Sequence, residues 1–299
     1  MQLCSKPRQL NPRMSNRQLV IAAGLIALGS IGIVLKSEND QLTSQGDPKQ
    51  WLLPDELNEA SGLAVLDQDT VLVHNDETAR LYRIGLADQY IEVLGQIGEP
   101  PIDEDLEGVA VRDRDIYLVN STGVVFRIAD VDFNRTNQSF PADSFDLGLT
   151  ELCEMEGLAH EDGALLLPCK TALHEKYQDQ LVVFRYQLDS GELDLLFAIA
   201  DAEIKGITDS QPTAIETTSD AWLILVQQHL LEVSRSTLAV NVHPLDPIRH
   251  RQPEGLAVLP DGGIIIVDDR RKGIGKLTRY AGLNELTRPI PANRAGRAR

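Results

Sequence analysis

The segment DLEGVAVRDRDIYLVN (residues 105–120) holds an acidic pair, a glycine, a short apolar run, a charged turn and a second run that is apolar throughout. Its opening recurs four more times: EASGLA from Glu59, EMEGLA from Glu154, QPTAIE from Gln211 and QPEGLA from Gln252. The Gly or Ala at the fourth position of each copy is separated from the next by 46, 49, 57 and 41 residues. Self-similarity at such a period is one supersecondary unit repeated, and an all-strand unit of about 40–50 residues is a propeller blade. The spacing therefore predicts an all-β chain: a single closed β-propeller of five four-stranded blades. A ring of six with one degenerate blade is the alternative.

The rest of each repeat agrees. Beyond the first apolar run and a polar turn comes a stronger one: VLV from Val71, IYLV from Ile116, LLL from Leu165, LILV from Leu223 and IIIV from Ile264. Every position is apolar, as in a strand covered on both faces. Each ends on a polar residue or cysteine 12 or 13 places after the Gly or Ala: Asn75, Asn120, Cys169, Gln227 and Asp268. A third run carries an arginine in LYRI from Leu81, VFRI from Val125, VFRY from Val183 and LTRY from Leu277; the fourth repeat has LLEV from Leu230 instead. A weaker fourth run follows, except in the last repeat. The segment QWLLP from Gln50 stands before the first repeat and can supply the missing strand, so both chain ends close one blade and no sheet edge is left open. The long third interval is accounted for by extra loop between Thr171 and Asp179.

Two columns of polar residues could carry chemistry. Three places before the Gly or Ala stand Glu59, Asp105, Glu154, Gln211 and Gln252; one place before it stand Ser61, Glu107, Glu156, Thr213 and Glu254. Residues two apart on a strand point the same way, and first strands lie nearest the axis, so the columns form rings at one mouth of the central channel. Carboxylates that close cannot all stay ionised and unpaired. One reading is a divalent cation held by Glu59, Asp105, Glu107, Glu154, Glu156 and Glu254; a set of oxygen donors suits Ca²⁺ rather than zinc. The other is structural, each acid clamping backbone N–H groups of a neighbouring blade. The residues that end the second runs, Asn75, Asn120, Gln227 and Asp268, are the candidate ligand-binding positions beside these rings.

The (D/E)-x-E-G-(L/V)-A openings, together with the first-blade E-x-S-G-L-A, resemble the SdiA-regulated-domain family of extracytoplasmic propellers over roughly residues 50–280. More distantly they are similar to esterase-like phytase and gluconolactonase-type propellers. The resemblance implies a bacterial envelope protein with calcium at the channel. The fourth repeat departs from the pattern, with Gln-Pro-Thr-Ala in place of the acidic form.

The ends of the chain differ from its body. Residues 19–35 (LVIAAGLIALGSIGIVL) are uncharged and follow four basic residues. Seventeen residues are near the short limit for a bilayer span and longer than the usual signal-peptide core. No small-residue cleavage site follows, which favours an uncleaved signal anchor over a cleaved signal. The basic flank stays cytoplasmic and the propeller lies outside, in the periplasm. The layout is then a basic segment (1–18), a transmembrane anchor (19–35), a polar linker (36–49), the propeller (50–283) and a basic tail (284–299). Net charge is −17; the N-terminal 40 residues and the last 19 each carry +3, so the body carries −23. A body that acidic disfavours nucleic acid and attracts cations and basic partners.

Cys153 and Cys169 flank a predicted hairpin, Glu154–His160 against Ala164–Pro168, turned by Glu161-Asp162-Gly163. Their diagonal placement on one face is compatible with a disulfide, and equally with two small buried residues. Dedicated catalytic patterns are missing: no G-x-S-x-G elbow, no phosphate loop, no dinucleotide fingerprint. Only His74 and His229 lie close enough to the polar columns to be weighed as acid–base groups, and Asp268-Asp269-Arg270-Arg271 reads as a charged turn. The expectation is a membrane-anchored binding or scaffold module with a cation site at the channel mouth, serving an envelope ligand or protein. The alternative is a metal-dependent hydrolase of a phosphoester or lactone. The sequence columns contain no histidine or lysine to act as a base, which favours binding.

Overall fold

The computed structural model describes residues 48–75, 78–269 and 275–286. The expected cytoplasmic segment, the anchor, nearly all of the linker and the tail from Thr287 lie outside those residues. Strand β1 (Lys49–Leu52) comes first. The first repeat gives β2 (Ala60–Asp67), β3 (Thr70–Asn75), β4 (Arg80–Gly85) and β5 (Ile91–Ile97), and the second gives β6 (Leu106–Arg112), β7 (Asp115–Asn120) and β8 (Val124–Ile128). Then β9 (Gln138–Phe140) turns back and pairs in parallel with β5, before β10 (Asp143–Asp146) completes the second sheet beside β8. The third repeat gives β11 (Cys153–Met155), β12 (Ala159–Glu161), β13 (Ala164–Ala172), β14 (Gln180–Gln187) and β15 (Leu193–Ala200). The fourth gives β16 (Pro212–Thr217), β17 (Ala221–Val226), β18 (His229–Ser234) and β19 (Val240–Pro244), and the last β20 (Pro253–Val258), β21 (Ile264–Asp268) and β22 (Lys276–Tyr280).

These strands make five antiparallel meanders, the blades of a propeller. The last is ordered β1-β22-β21-β20, with Trp51 opposite Leu277, so the N-terminal strand completes the C-terminal blade. Two blades depart from four plain strands. The first gains β9 at its outer edge, and the inner strand of the third is split into β11 and β12, both paired with β13.

The second strands show why every position there is apolar. Leu72 packs with Val109 and Leu118 of the second blade, while its neighbours Val71 and Val73 pack with Ile265 and Val267 of the fifth. The same division separates Leu166, which joins Ile215 and Ile224, from Leu165 and Leu167, which join Tyr117 and Val119. A fifth cluster, with Leu223, Leu225, Leu256 and Ile266, joins the fourth blade to the fifth. The core is thus five slabs between blades, closed into a ring. Burying one such side chain contributes about 1.5–3 kcal/mol.

The Gly column is where inner strands meet around the axis. A Cβ on Gly108 would lie 2.5 Å from the carbonyl carbon of Gly157, and one on Gly157 would lie 2.8 Å from the Cα of Ala214. The Gly157 N–H donates to the Glu107 carbonyl at 2.7 Å, tying the second blade to the third. Gly157 also has φ +86, a conformation that disfavours any side chain. The recurrent arginine of the third strands pairs across the sheet: Arg83 with Glu92, Arg127 with Asp115 and Arg185 with Asp194, while Arg279 reaches Asp261.

Cys153 and Cys169 are joined, with Cα atoms 5.5 Å apart. The hairpin beneath them is tighter than the expected three-residue turn. Glu161 pairs with Ala164, leaving Asp162 (φ 47) and Gly163 (φ 80) as a two-residue turn with both residues left-handed.

Candidate site at the channel mouth

Inner strands begin, and second strands end, at the same mouth of the channel, so the two polar columns converge there with the ends of β13, β17 and β21. Two cavities share a floor. The smaller, about 60 Å³, is lined by Glu59, Ser61, Asp105, Glu107 and Asp269 together with Glu156, Lys170 and Glu254. The larger, about 490 Å³, opens over blades three to five. Its walls include Gln211, Thr213, Gln227, His229, Arg251 and Gln252, and it reaches the same Glu156, Lys170 and Glu254.

Nine of the ten column residues therefore border one cavity or the other. Glu154 does not. It lies on the separate piece β11, opposite Thr171, and its side chain is exposed between the buried Cys153 and Met155. A register shift at Glu154/Met155, where the third inner strand breaks, turns it away from the axis.

Of the second-strand positions, Gln227 lines the larger cavity. The others make hydrogen bonds within the fold. Asn75 accepts from the Thr78 N–H at 3.2 Å, and Asn120 accepts from the N–H groups of Thr122 (3.2 Å) and Val124 (2.8 Å), so each caps a turn. Asp268 is 1% exposed and holds His250 Nδ1 at 2.8 Å, while His250 Nε2 faces the Tyr280 hydroxyl. His74 is likewise internal: Nδ1 donates to the Asn75 carbonyl at 3.2 Å, and burial holds its pKa down at about 4, so it stays neutral. His229, the other histidine weighed, borders the larger cavity, and its Nδ1 is buried without a hydrogen bond.

Lys170 is the residue that the columns missed. Its ammonium is ion-paired with Glu156 Oε2 beneath both cavities. It stands 13 places after Gly157, the offset of Asn75, Gln227 and Asp268 in their own blades. Reading Cys169 as the end of that strand hid it.

Electrostatics at the floor follow from burial and crowding. Burial pushes the Glu156 carboxyl up to about 9, Glu254 and Glu107 add to the rise, and Lys170 opposes it. Burial likewise raises Glu254, against hydrogen bonds from Glu156 and Gln252. For Lys170, burial works to lower the pKa, but Glu156, Glu107 and Glu254 outweigh it and raise it. The floor is thus a crowded group of carboxyls, each made harder to ionise by burial, around one ammonium that they hold in its charged form. Blades are also tied together here by the Met155 N–H to the Ser121 carbonyl and by Thr213 Oγ1 to the Pro253 carbonyl, both at 2.9 Å. Among the described residues, no three His, Cys, Asp or Glu side chains are placed to hold a metal ion.

No family model and no curated protein matches this sequence. Solved propellers do. Glutaminyl cyclase of Myxococcus xanthus is 15% identical over 78% of this chain and 94% of its own, with a TM-score of 0.49. The PQQ-bound aldose sugar dehydrogenase of Streptomyces coelicolor is 13% identical over 79% and 99%, with a TM-score of 0.48. The WD40 β-propeller domain of Doa1 is 9% identical over 77% and 97%, with a TM-score of 0.45. A shared fold does not carry function, which has to be argued from the site.

Proposed function

We propose that the chain is a binding module whose ligand seats in the 490 Å³ cavity at the channel mouth. The observation that carries this reading is the convergence of both polar columns and the second-strand ends on one concave, polar mouth. The apolar run 19–35 with its basic flank supports an anchored protein with the propeller on the extracytoplasmic side, where a disulfide is at home. A thermal-shift screen of chemically diverse small molecules tests the site. At least one class raises the melting temperature of the wild type, and Gln228→Trp, which fills the pocket from a turn, removes the effect. A screen with no such ligand sinks the reading.

A divalent cation in the smaller cavity is the second reading, favoured by the acids that line it among the described residues: Glu59, Asp105, Glu107, Glu156, Glu254 and Asp269, with Lys170 beside them. Calcium bound only to the folded state at a hundredfold excess over Kd would stabilise it by about 2.7 kcal/mol. Melting in calcium then exceeds melting in chelator by several degrees, and Glu107→Gln shrinks the gap; identical curves dismiss the cation. A hydrolase of phosphoesters or lactones needs that cation as well as a base. Lys170, held as an ammonium, supplies none, and the hydrolase stands only if turnover appears and chelator abolishes it.

A further inference from the structure

The larger cavity has a chemical polarity that its mixed lining conceals. Gln211 Nε2 donates to Asp209 Oδ2 at 3.0 Å, and Gln227 Nε2 donates to the Asp209 carbonyl at 3.3 Å. Gln252 Nε2 donates to Glu254 Oε1 at 2.8 Å and to Asp269 Oδ2 at 3.0 Å. Carbonyls and ionised carboxylates only accept, so these partners fix each amide with its NH₂ turned into the protein. The three Oε1 atoms are the ends left over, and none accepts a hydrogen bond among the described residues. Glu254 Oε2 and His229 Nδ1 are also without a partner. The wall that a ligand meets therefore offers the three amide oxygens and Glu254 Oε2 as open acceptors, beside the donors of Lys170 and Arg251.

Acids stand close to these amides. Asp209 holds Gln211 and Gln227, Asp269 holds Gln252, and Glu156 and Glu254 form the floor. Among the described lining residues two carboxyls, Glu156 and Glu254, face two basic groups, Lys170 and Arg251, and Lys170 is already paired with Glu156, which leaves Glu254 as the carboxyl open to a ligand. Lys170 is itself informative: an ammonium is already seated on this floor, ion-paired with Glu156.

We propose that the cavity binds a small organic cation rich in N–H donors, an alkylammonium or guanidinium compound. The amide oxygens of Gln211, Gln227 and Gln252 accept its N–H groups, and the Glu254 carboxylate balances its charge. This rests on the channel mouth being a ligand site and adds the chemistry of what enters it.

Calorimetric titration of the full chain tests it with four probes: 1,5-diaminopentane, agmatine, the neutral polyol xylitol and the dianion glutarate. Both amines bind; xylitol and glutarate do not. A charge-assisted hydrogen bond is worth about 1.5–3 kcal/mol, so Glu254→Gln weakens amine binding about 10- to 100-fold, while Gln211→Met, which removes one neutral acceptor, weakens it about threefold. Unchanged melting curves establish that both variants are folded. If xylitol or glutarate binds and Gln211→Met weakens it while the amines stay silent, the cation class is wrong and the site stands. If the amines bind equally well to wild type and both variants, they sit elsewhere and the proposal is overturned. If none of the four binds, the cation proposal is overturned, and the wider screen decides separately whether the cavity is a site at all.

Discussion

Glu216 is the residue at which one blade breaks the rule kept by the others. Two places after the Gly, the other blades carry Ala64, Ala110, Ala159 and Ala257, each at most 4% exposed. The fourth puts a glutamate there, with Oε2 accepting from the Thr217 N–H at 3.0 Å. Burial raises its pKa to about 7, against that one hydrogen bond. The unfolded chain ionises this group near pH 4.5, and the folded protein only near 7. Folding is therefore unpenalised below about 4.5, and stability is lost as pH rises through 7, by up to about 3 kcal/mol. Glu216→Gln keeps the shape and removes the charge. Its melting temperature should match the wild type near pH 4.5 and exceed it at pH 8. Equal curves at both pH values would show that Glu216 titrates as if in water.

At the scale of the element, the blade pattern was open to reading because it is repeated and strictly apolar. The five Gly or Ala positions, the second strands and the borrowing of residues 49–52 by the last blade all follow from sequence periodicity. What escaped reading lies where a blade departs from its repeat. Strand β9 has no signature, because Gln138–Phe140 are three residues whose partner is a sheet already completed. Lys170 enters the site and Glu154 leaves it because β13 runs on to Ala172 and the inner strand opposite it breaks. Just beyond the break Gly157 lies tight between Gly108 and Ala214 of the flanking blades, a contact that no local pattern records. The disulfide tethers this irregular piece, joining Cys153 on β11 to Cys169 on β13. Closing a loop of this size contributes about 3 kcal/mol on the chain-entropy account. The double variant Cys153→Ser/Cys169→Ser, or wild type under reductant, should melt several degrees lower. No change on reduction would mean that β11 is held by packing alone.

For the molecule as a whole, the joint between the first and last strands matters most. Deleting residues 1–53 removes β1 and strips Trp51 and Leu53, 7% and 6% exposed, from the slab between blades five and one. It also uncovers β22 as a free edge. Such a chain should melt at least several degrees lower and self-associate, as followed by scanning fluorimetry and light scattering, whereas a chain lacking only residues 1–40 should match the full-length protein. Equal stability of the two truncations would show that the ring does not depend on its seam.

That joint also sets the order of events in the cell. Trp51 is among the first residues of the propeller to leave the ribosome, yet its partner Leu277 is among the last. Blades one to four can form from contacts close in sequence as synthesis proceeds, but the seam waits until the C-terminal strand has emerged, which makes closure the contact of highest order. Until then a tryptophan-bearing strand is unpaired, and a prematurely terminated chain can never pair it. The architecture thereby carries its own proofreading: only a chain translated beyond Tyr280 can bury its first strand, and a shorter one displays the defect at its surface.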